Sequence, residues 1–323
     1  MINKVSKPII IFFFSLLLCF LSYKFCYFIA ENFFFDKFFY QKSISHGYRQ
    51  YDKLVPLSSF GERSIDLNLL ENNNSYVDKN TSQYKILIVG DSYLWGQGLR
   101  NSQRYASILQ LKLNKIKNVE IISLGMGGWN ILDYLNTYQK IIKSYSPNLT
   151  IFSLVNNDIF INKSDSDNEI VKNCLAQYPK LSVTYEFDPS LFNNKETSIP
   201  NNERQYYKTT LDAWNNPINL CILNKSLEKL PTNNTIYFIP DNYLSIEEFY
   251  IKYKEQLSIL HKNIITSERG QYIPKYHKFW KDTPWNHFLI SPGESHPNAL
   301  ANRMYADILF NEITTNPKWN FNK

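Results

Sequence analysis

Residues 84–99 read YKILIVGDSYLWGQGL, and the change of texture inside that stretch decides the fold. An apolar run ends at Gly90, and the polar turn Gly90-Asp91-Ser92-Tyr93 follows at once. A short continuous apolar run closed by a glycine predicts a strand buried on both faces. Outward from it the same alternation recurs. Residues 104–116 carry apolar positions at helical spacing, VEIISL at 119–124 reads as a second strand, 131–145 as a helix, and LTIFSLV at 149–155 as a third strand. Strands alternating with helices predict a parallel sheet covered on both faces. The rhythm breaks over 162–231, a polar stretch with a weak segment at 181–187 and a helix near 211–230, expected to form an insertion or lid. TIYFI at 235–239 resumes the sheet, 246–261 the helices, and a short strand at 288–290 precedes a final helix over 299–313.

The chain has 323 residues, 44% hydrophobic and 20% charged, which excludes a disordered tail and a polytopic membrane protein. Its net charge of +6 is spread without a basic run, so no nucleic-acid partner is expected. Four cysteines without a Cys-x-x-Cys or Cys/His cluster predict neither a metal site nor a cofactor.

Residues 8–30, PIIIFFFSLLLCFLSYKFCYFIA, are broken only by Lys24, which can snorkel to an interface. About 20 apolar residues span a bilayer core, so one transmembrane signal anchor is expected. A cleaved signal peptide is the alternative, but Phe28 stands where a small residue would precede Ala30. Lys4 and Lys7 precede the run without an acid, whereas Glu31, Asp36, Lys37 and Lys42 follow it in balance. The positive-inside bias then leaves residues 1–7 in the cytoplasm and the bulk of a single-pass chain outside, periplasmic or on the cell surface. Residues 31–83 read as a juxtamembrane connector, and Phe33, Phe34, Phe35, Phe38, Phe39 and Tyr40 as an aromatic interfacial belt or the start of a core helix. In an oxidising compartment Cys174 and Cys221 pair or stay as two buried thiols; sequence leaves both open.

Three chemical elements occur where strands end, the usual place for ligands in a doubly wound sheet. Ser92 follows the first strand at the start of a helix, where capping that helix is the alternative role. Leu124-Gly125-Met126-Gly127-Gly128-Trp129 follows the second, and clustered glycines let backbone N–H groups approach an oxyanion. Asn156-Asn157-Asp158 follows the third, offering an amide donor. The fourth element is Glu294-Ser295-His296-Pro297-Asn298 before the last helix. A serine hydroxyl needs a base, histidine suits that near neutral pH, and a nearby carboxylate can orient it. His46, His261, His277 and His287 lack that context.

The four elements in this order resemble the SGNH/GDSL hydrolase family from residue 84 to about 313. The resemblance implies a three-layer α/β/α, flavodoxin-like fold with a parallel sheet over residues 84–316. It also implies a serine esterase without metal or cofactor. It places the nucleophile at Ser92, the base at His296, the oxyanion glycine at Gly128 and the oxyanion amide at Asn157. Val155 replaces the usual glycine of the third block. The family's Asp-x-x-His spacing is absent: Gly293 stands three residues before His296, and Glu294 two before it. Glu294 is the expected third member, with a main-chain carbonyl as the alternative. Water as acceptor gives an esterase and a sugar hydroxyl an acyltransferase. The expected substrate is an acylated envelope glycan, with a lipid ester (residues 272–288 are aromatic-rich) or non-catalytic glycan binding as competitors.

Overall fold

The structure is a computed structural model and describes residues 6–29, 83–96, 99–142, 145–185, 208–240, 263–267, 288–291 and 294–321. The connector up to residue 82, the aromatic belt, the helix expected at 246–261 and nearly all of 272–288 lie outside the described residues. So do His46, His261, His277 and His287.

The N-terminal apolar run is helical, α1 (Ser6–Ile29). Its described side chains are exposed, Phe14 at 62% and Phe25 at 63% among them. Among the described residues no helix is long and apolar enough to cross a membrane. The transmembrane reading of residues 8–30 therefore gains no support from the fold.

The apolar runs form the strands they predict. β1 (Tyr84–Gly90) is buried at every residue, as a strand covered on both faces must be. It pairs in parallel with β2 (Val119–Gly125) on one side and β3 (Leu149–Ser153) on the other. β4 (Thr235–Ile239) and β5 (Ile264–Thr266) extend the sheet in the order β2-β1-β3-β4-β5, every pair parallel. That is the flavodoxin-like order, and the chain reverses its direction of growth between β1 and β3. β5 has no counterpart among the expected strands.

Alternate side chains of β1 feed two cores. Ile86 and Ile88 pack with α3 (Tyr105–Leu113) and α7 (Ala299–Thr315). Leu87 and Val89 pack on the opposite face with α4 (Ile131–Ile141), α5 (Glu169–Gln177) and α6 (Pro217–Lys229). The one-turn helix α2 (Ser92–Trp95) sits between the sheet and the site. The stretch 162–231, expected as an insertion or lid, is described in part and packs on the domain's core. Ile170, Val171, Trp214, Ile218 and Ile222 are buried in the same core as β1, so these helices form a layer of the domain. Cys174 of α5 and Cys221 of α6 are joined by a disulfide, settling the pair as bridged.

The C-terminal end also runs further than expected. Phe321 is buried against the Tyr84 ring at 5.1 Å, and the Tyr84 hydroxyl donates to the Trp319 carbonyl at 2.7 Å, so the packed domain ends beyond residue 316.

Candidate active site

Asp91 caps α2: its Oδ1 accepts the Tyr93 N–H at 2.9 Å and its Oδ2 accepts the Ser92 hydroxyl at 3.1 Å. The turn is pressed onto the strand ends through two glycines in register, Gly90 and Gly125. A Cβ on Gly90 would lie 2.8 Å from the Ser153 Cβ and 2.9 Å from the Leu94 Cβ. One on Gly125 would lie 2.8 Å from the Asp91 carbonyl oxygen. Ser92 ends up nearly buried and Asp91 fully so. Arg104 steadies the other end of α2, its Nη2 donating to the Leu94 carbonyl at 3.2 Å.

Gly128 lies in the turn after β2 with φ +80°, in open space. The left-handed backbone angle, not crowding, calls for glycine here. Asn157 sits in a 3₁₀ turn (Asn156–Ile159) directly after β3. Its neighbours lock that turn. Asp158 accepts the Tyr134 hydroxyl on Oδ1 and the Val155 N–H on Oδ2, both at 2.7 Å, and the Trp214 indole donates to the Asn156 carbonyl at 3.0 Å.

His296 is carried by β7 (Glu294–Pro297), antiparallel to β6 (Leu289–Ser291). Sequence reading did not foresee this pair, because a Glu-Ser-His-Pro segment has no strand signature. The main chain after the histidine is fixed by Asn302 of α7. Its Nδ2 donates to the carbonyls of Pro297 (3.2 Å) and Asn298 (3.0 Å), while its Oδ1 accepts the Tyr105 N–H at 2.9 Å. One buried amide thus ties the histidine segment to the start of α3. The His296 ring lies 5.6 Å from the Tyr93 ring, tilted by 59°.

The structure thus gathers Ser92, Gly128, Asn157 and His296 at the C-terminal end of the sheet, around the point where strand order reverses. Glu294 is placed by its backbone, two positions before His296 in β7, and its side chain lies outside the described residues. Asp91, Tyr93, Trp214 and Asn302 were given no role by sequence. Of these, only Asp91 and Tyr93 carried a signal, their adjacency to Ser92. Among the described residues no group of His, Cys, Asp and Glu could hold a metal ion.

Compared with known proteins, the model of GDSL-like lipases and acylhydrolases matches residues 86–309. The chain belongs to this family. It is an ester-bond hydrolase of the GDSL type. Solved structures similar to this GDSL hydrolase include the psychrotrophic esterase EstA from Pseudoalteromonas sp., with 14% identity, 72% of this chain and 97% of that one covered, and a TM-score of 0.37. The lipase/acylhydrolase from Enterococcus faecalis shares 12% identity over 72% and 95% of the two chains, with a TM-score of 0.41. An acetyl xylan esterase, AlAXEase, shares 14% over 71% and 99%, with a TM-score of 0.38. No curated protein matches the GDSL hydrolase in sequence.

Two carboxyl groups lie fully buried under its site. Burial pushes Asp91 up from 3.8 to about 6, against the pull of the Tyr93 N–H, the His296 charge and the Ser92 hydroxyl. Burial raises Asp158 well above the usual range, and the charge of Asp91 adds to it. Between pH 4 and 6, roughly, folded Asp91 holds a proton that the unfolded chain has released, so stability falls as pH rises through that window. The shift from 3.8 to about 6 corresponds to a cost of about 3 kcal/mol above it. Asparagine caps a helix as well as aspartate does. Asp91→Asn is therefore expected to be about 1–3 kcal/mol more stable than wild type at pH 8 and no more stable at pH 4. Urea unfolding at the two pH values checks this; an equal difference at both would refute it.

Proposed function

We propose that this hydrolase removes O-acyl groups, acetyl foremost, from cell-envelope glycans through an acyl-enzyme on Ser92, held at the membrane by residues 8–30. The observation that carries the catalytic part is the packing of the His296 ring against Tyr93, the residue next to Ser92. The Ser92 hydroxyl, which rests on Asp91, rotates toward His296 and attacks the acyl carbonyl. Its proton passes to the imidazole. The N–H groups of Ser92 and Gly128 and the Asn157 amide hold the oxyanion. The proton then leaves with the glycan hydroxyl, and water, deprotonated by His296, releases the acid. Glu294 and His296 are two positions apart in a strand, the spacing that shares a face, which supports Glu294 as the orienting carboxylate.

The Cys174–Cys221 bridge supports an oxidising compartment outside the cytoplasm. The apolar sequence of residues 8–30, preceded by Lys4 and Lys7 without an acid and followed by acids and lysines in balance, supports a retained anchor in that orientation. A domain tethered there has envelope glycans within reach.

Incubation with a fluorophosphonate probe should label wild type and spare Ser92→Ala. Ser92→Ala and His296→Ala should each lower turnover of an activated acyl ester by about 10³-fold or more, and the double variant by little more than either. Independent, multiplying losses would count against the pair.

Glu294→Gln should lower turnover by at least about 100-fold, less than the roughly 10⁴-fold of an ideal triad carboxylate because the spacing is unusual. A folded Glu294→Gln protein within about threefold of wild type removes Glu294 from the set and leaves the serine and histidine in place.

The natural protein should partition with membranes and keep residues 1–30. N-terminal sequencing that begins after Ala30 would show a cleaved leader instead.

A further inference from the structure

The cap of the nucleophile helix differs from every other side-chain cap among the described helices. Asn130, Asn168, Asn216, Asn298 and Asn316 cap α4, α5, α6, α7 and the 3₁₀ turn Pro317–Trp319 through their side-chain oxygens. Only α2 uses an aspartate, Asp91, and that residue has no exposed surface. An asparagine would satisfy the same N–H without a buried charge. Capping therefore leaves the choice of aspartate unexplained, and the groups around it supply a reason. Facing its carboxyl are the Ser92 hydroxyl and Tyr93 N–H from α2, the charge of His296 from β7, and Asp158 from the turn after β3. Asp158 is occupied by Tyr134 and Val155, which leaves His296 as the cationic partner in that group. On the other flank of Ser92, the Tyr93 ring lies against the imidazole at 5.6 Å.

We propose that Asp91 and Tyr93 are positioning residues for His296: Asp91 is the buried counter-charge toward which the imidazole becomes imidazolium, and Tyr93 is the wall that holds the ring over Ser92. This deepens the assignment of Ser92 and His296 above and rests on it. When the Ser92 proton moves to His296, positive charge appears within the field of a carboxylate that has no exposed surface. A carboxylate already fixed there acts on it through a low dielectric and needs no reorganisation. The face of an aromatic ring attracts the same cation. The base is thus oriented from the nucleophile's own turn as well as from its own strand.

The test uses the full chain and p-nitrophenyl acetate, reading kcat and KM together with the rate of fluorophosphonate labelling. Asp91→Asn, which keeps the cap, should lower kcat about tenfold or more with KM within about twofold, and slow labelling in parallel. Tyr93→Leu should lose a similar factor, and Tyr93→Phe, which restores the ring, should recover most of it. In a His296→Ala background Asp91→Asn should slow labelling no further, because residues acting through one another do not add. Asp91→Asn within twofold of wild type overturns the proposal. So does a loss that persists undiminished in the His296→Ala background, since that is the mark of a merely structural cap. If Ser92→Ala or His296→Ala themselves keep wild-type turnover, the catalytic assignment fails first and takes this proposal with it.

Discussion

One turn of helix lies so close to the ends of β1 and β2 that neither strand can end in a residue with a side chain. Gly90 and Gly125 are register partners, and a Cβ on either would meet a neighbour at 2.8 Å. The sheet is notched at that level and α2 fills the notch. The depth of Ser92 follows from this approach, and so does the complete burial of Asp91. The crevice at the reversal of strand order then has a floor made of backbone, with the hydroxyl at its base. A larger residue at either glycine would lift α2 and displace the serine from the turns that carry Gly128 and Asn157.

Close approach has an electrostatic consequence. Sealing α2 onto the sheet puts two carboxyl groups, Asp91 and Asp158, where water does not reach; burial raises both, and the charge of Asp91 pushes Asp158 further upward. Such an arrangement costs stability and persists only where the surroundings over-determine it. Here they do. Tyr134 and Val155 hold Asp158, Trp214 holds the turn beside it, and Asn302 joins the histidine segment to α3. The disulfide between α5 and α6 fastens the layer from which Trp214 and its neighbours reach the site.

Much of this architecture was legible in the sequence because parallel strands covered on both faces are written as continuous apolar runs. YKILIVG, VEIISL, LTIFS and TIYFI became strands at nearly the residues expected. β5 escaped because three residues carry no period. β7 escaped because its strand form comes from pairing with β6, not from the propensity of Glu-Ser-His-Pro. In the region 162–231 a polar surface dominates the composition, so the core face of Trp214, Ile218, Ile222 and Leu223 was not legible. At the site, the four blocks were readable from residue type and order. The clamps were not: Asn302 touches residues near in sequence and also Tyr105, far away in it. Nor could sequence show that Asp91, in plain view beside Ser92, is buried and within the field of His296.

The spacing between Glu294 and His296 is a matter of backbone in the same terms. An acid three residues before a histidine meets it when the chain between them turns. In a strand, positions three apart lie on opposite faces and positions two apart share one. His296 is on a strand, paired antiparallel to β6, and the chain beyond it is held extended by Asn298 N–H donating to the Phe288 carbonyl at 2.7 Å. Glutamate at 294 takes the sharing position. The strand therefore gives Glu294 and His296 positions that share a face, whereas the three-residue spacing belongs to a chain that turns.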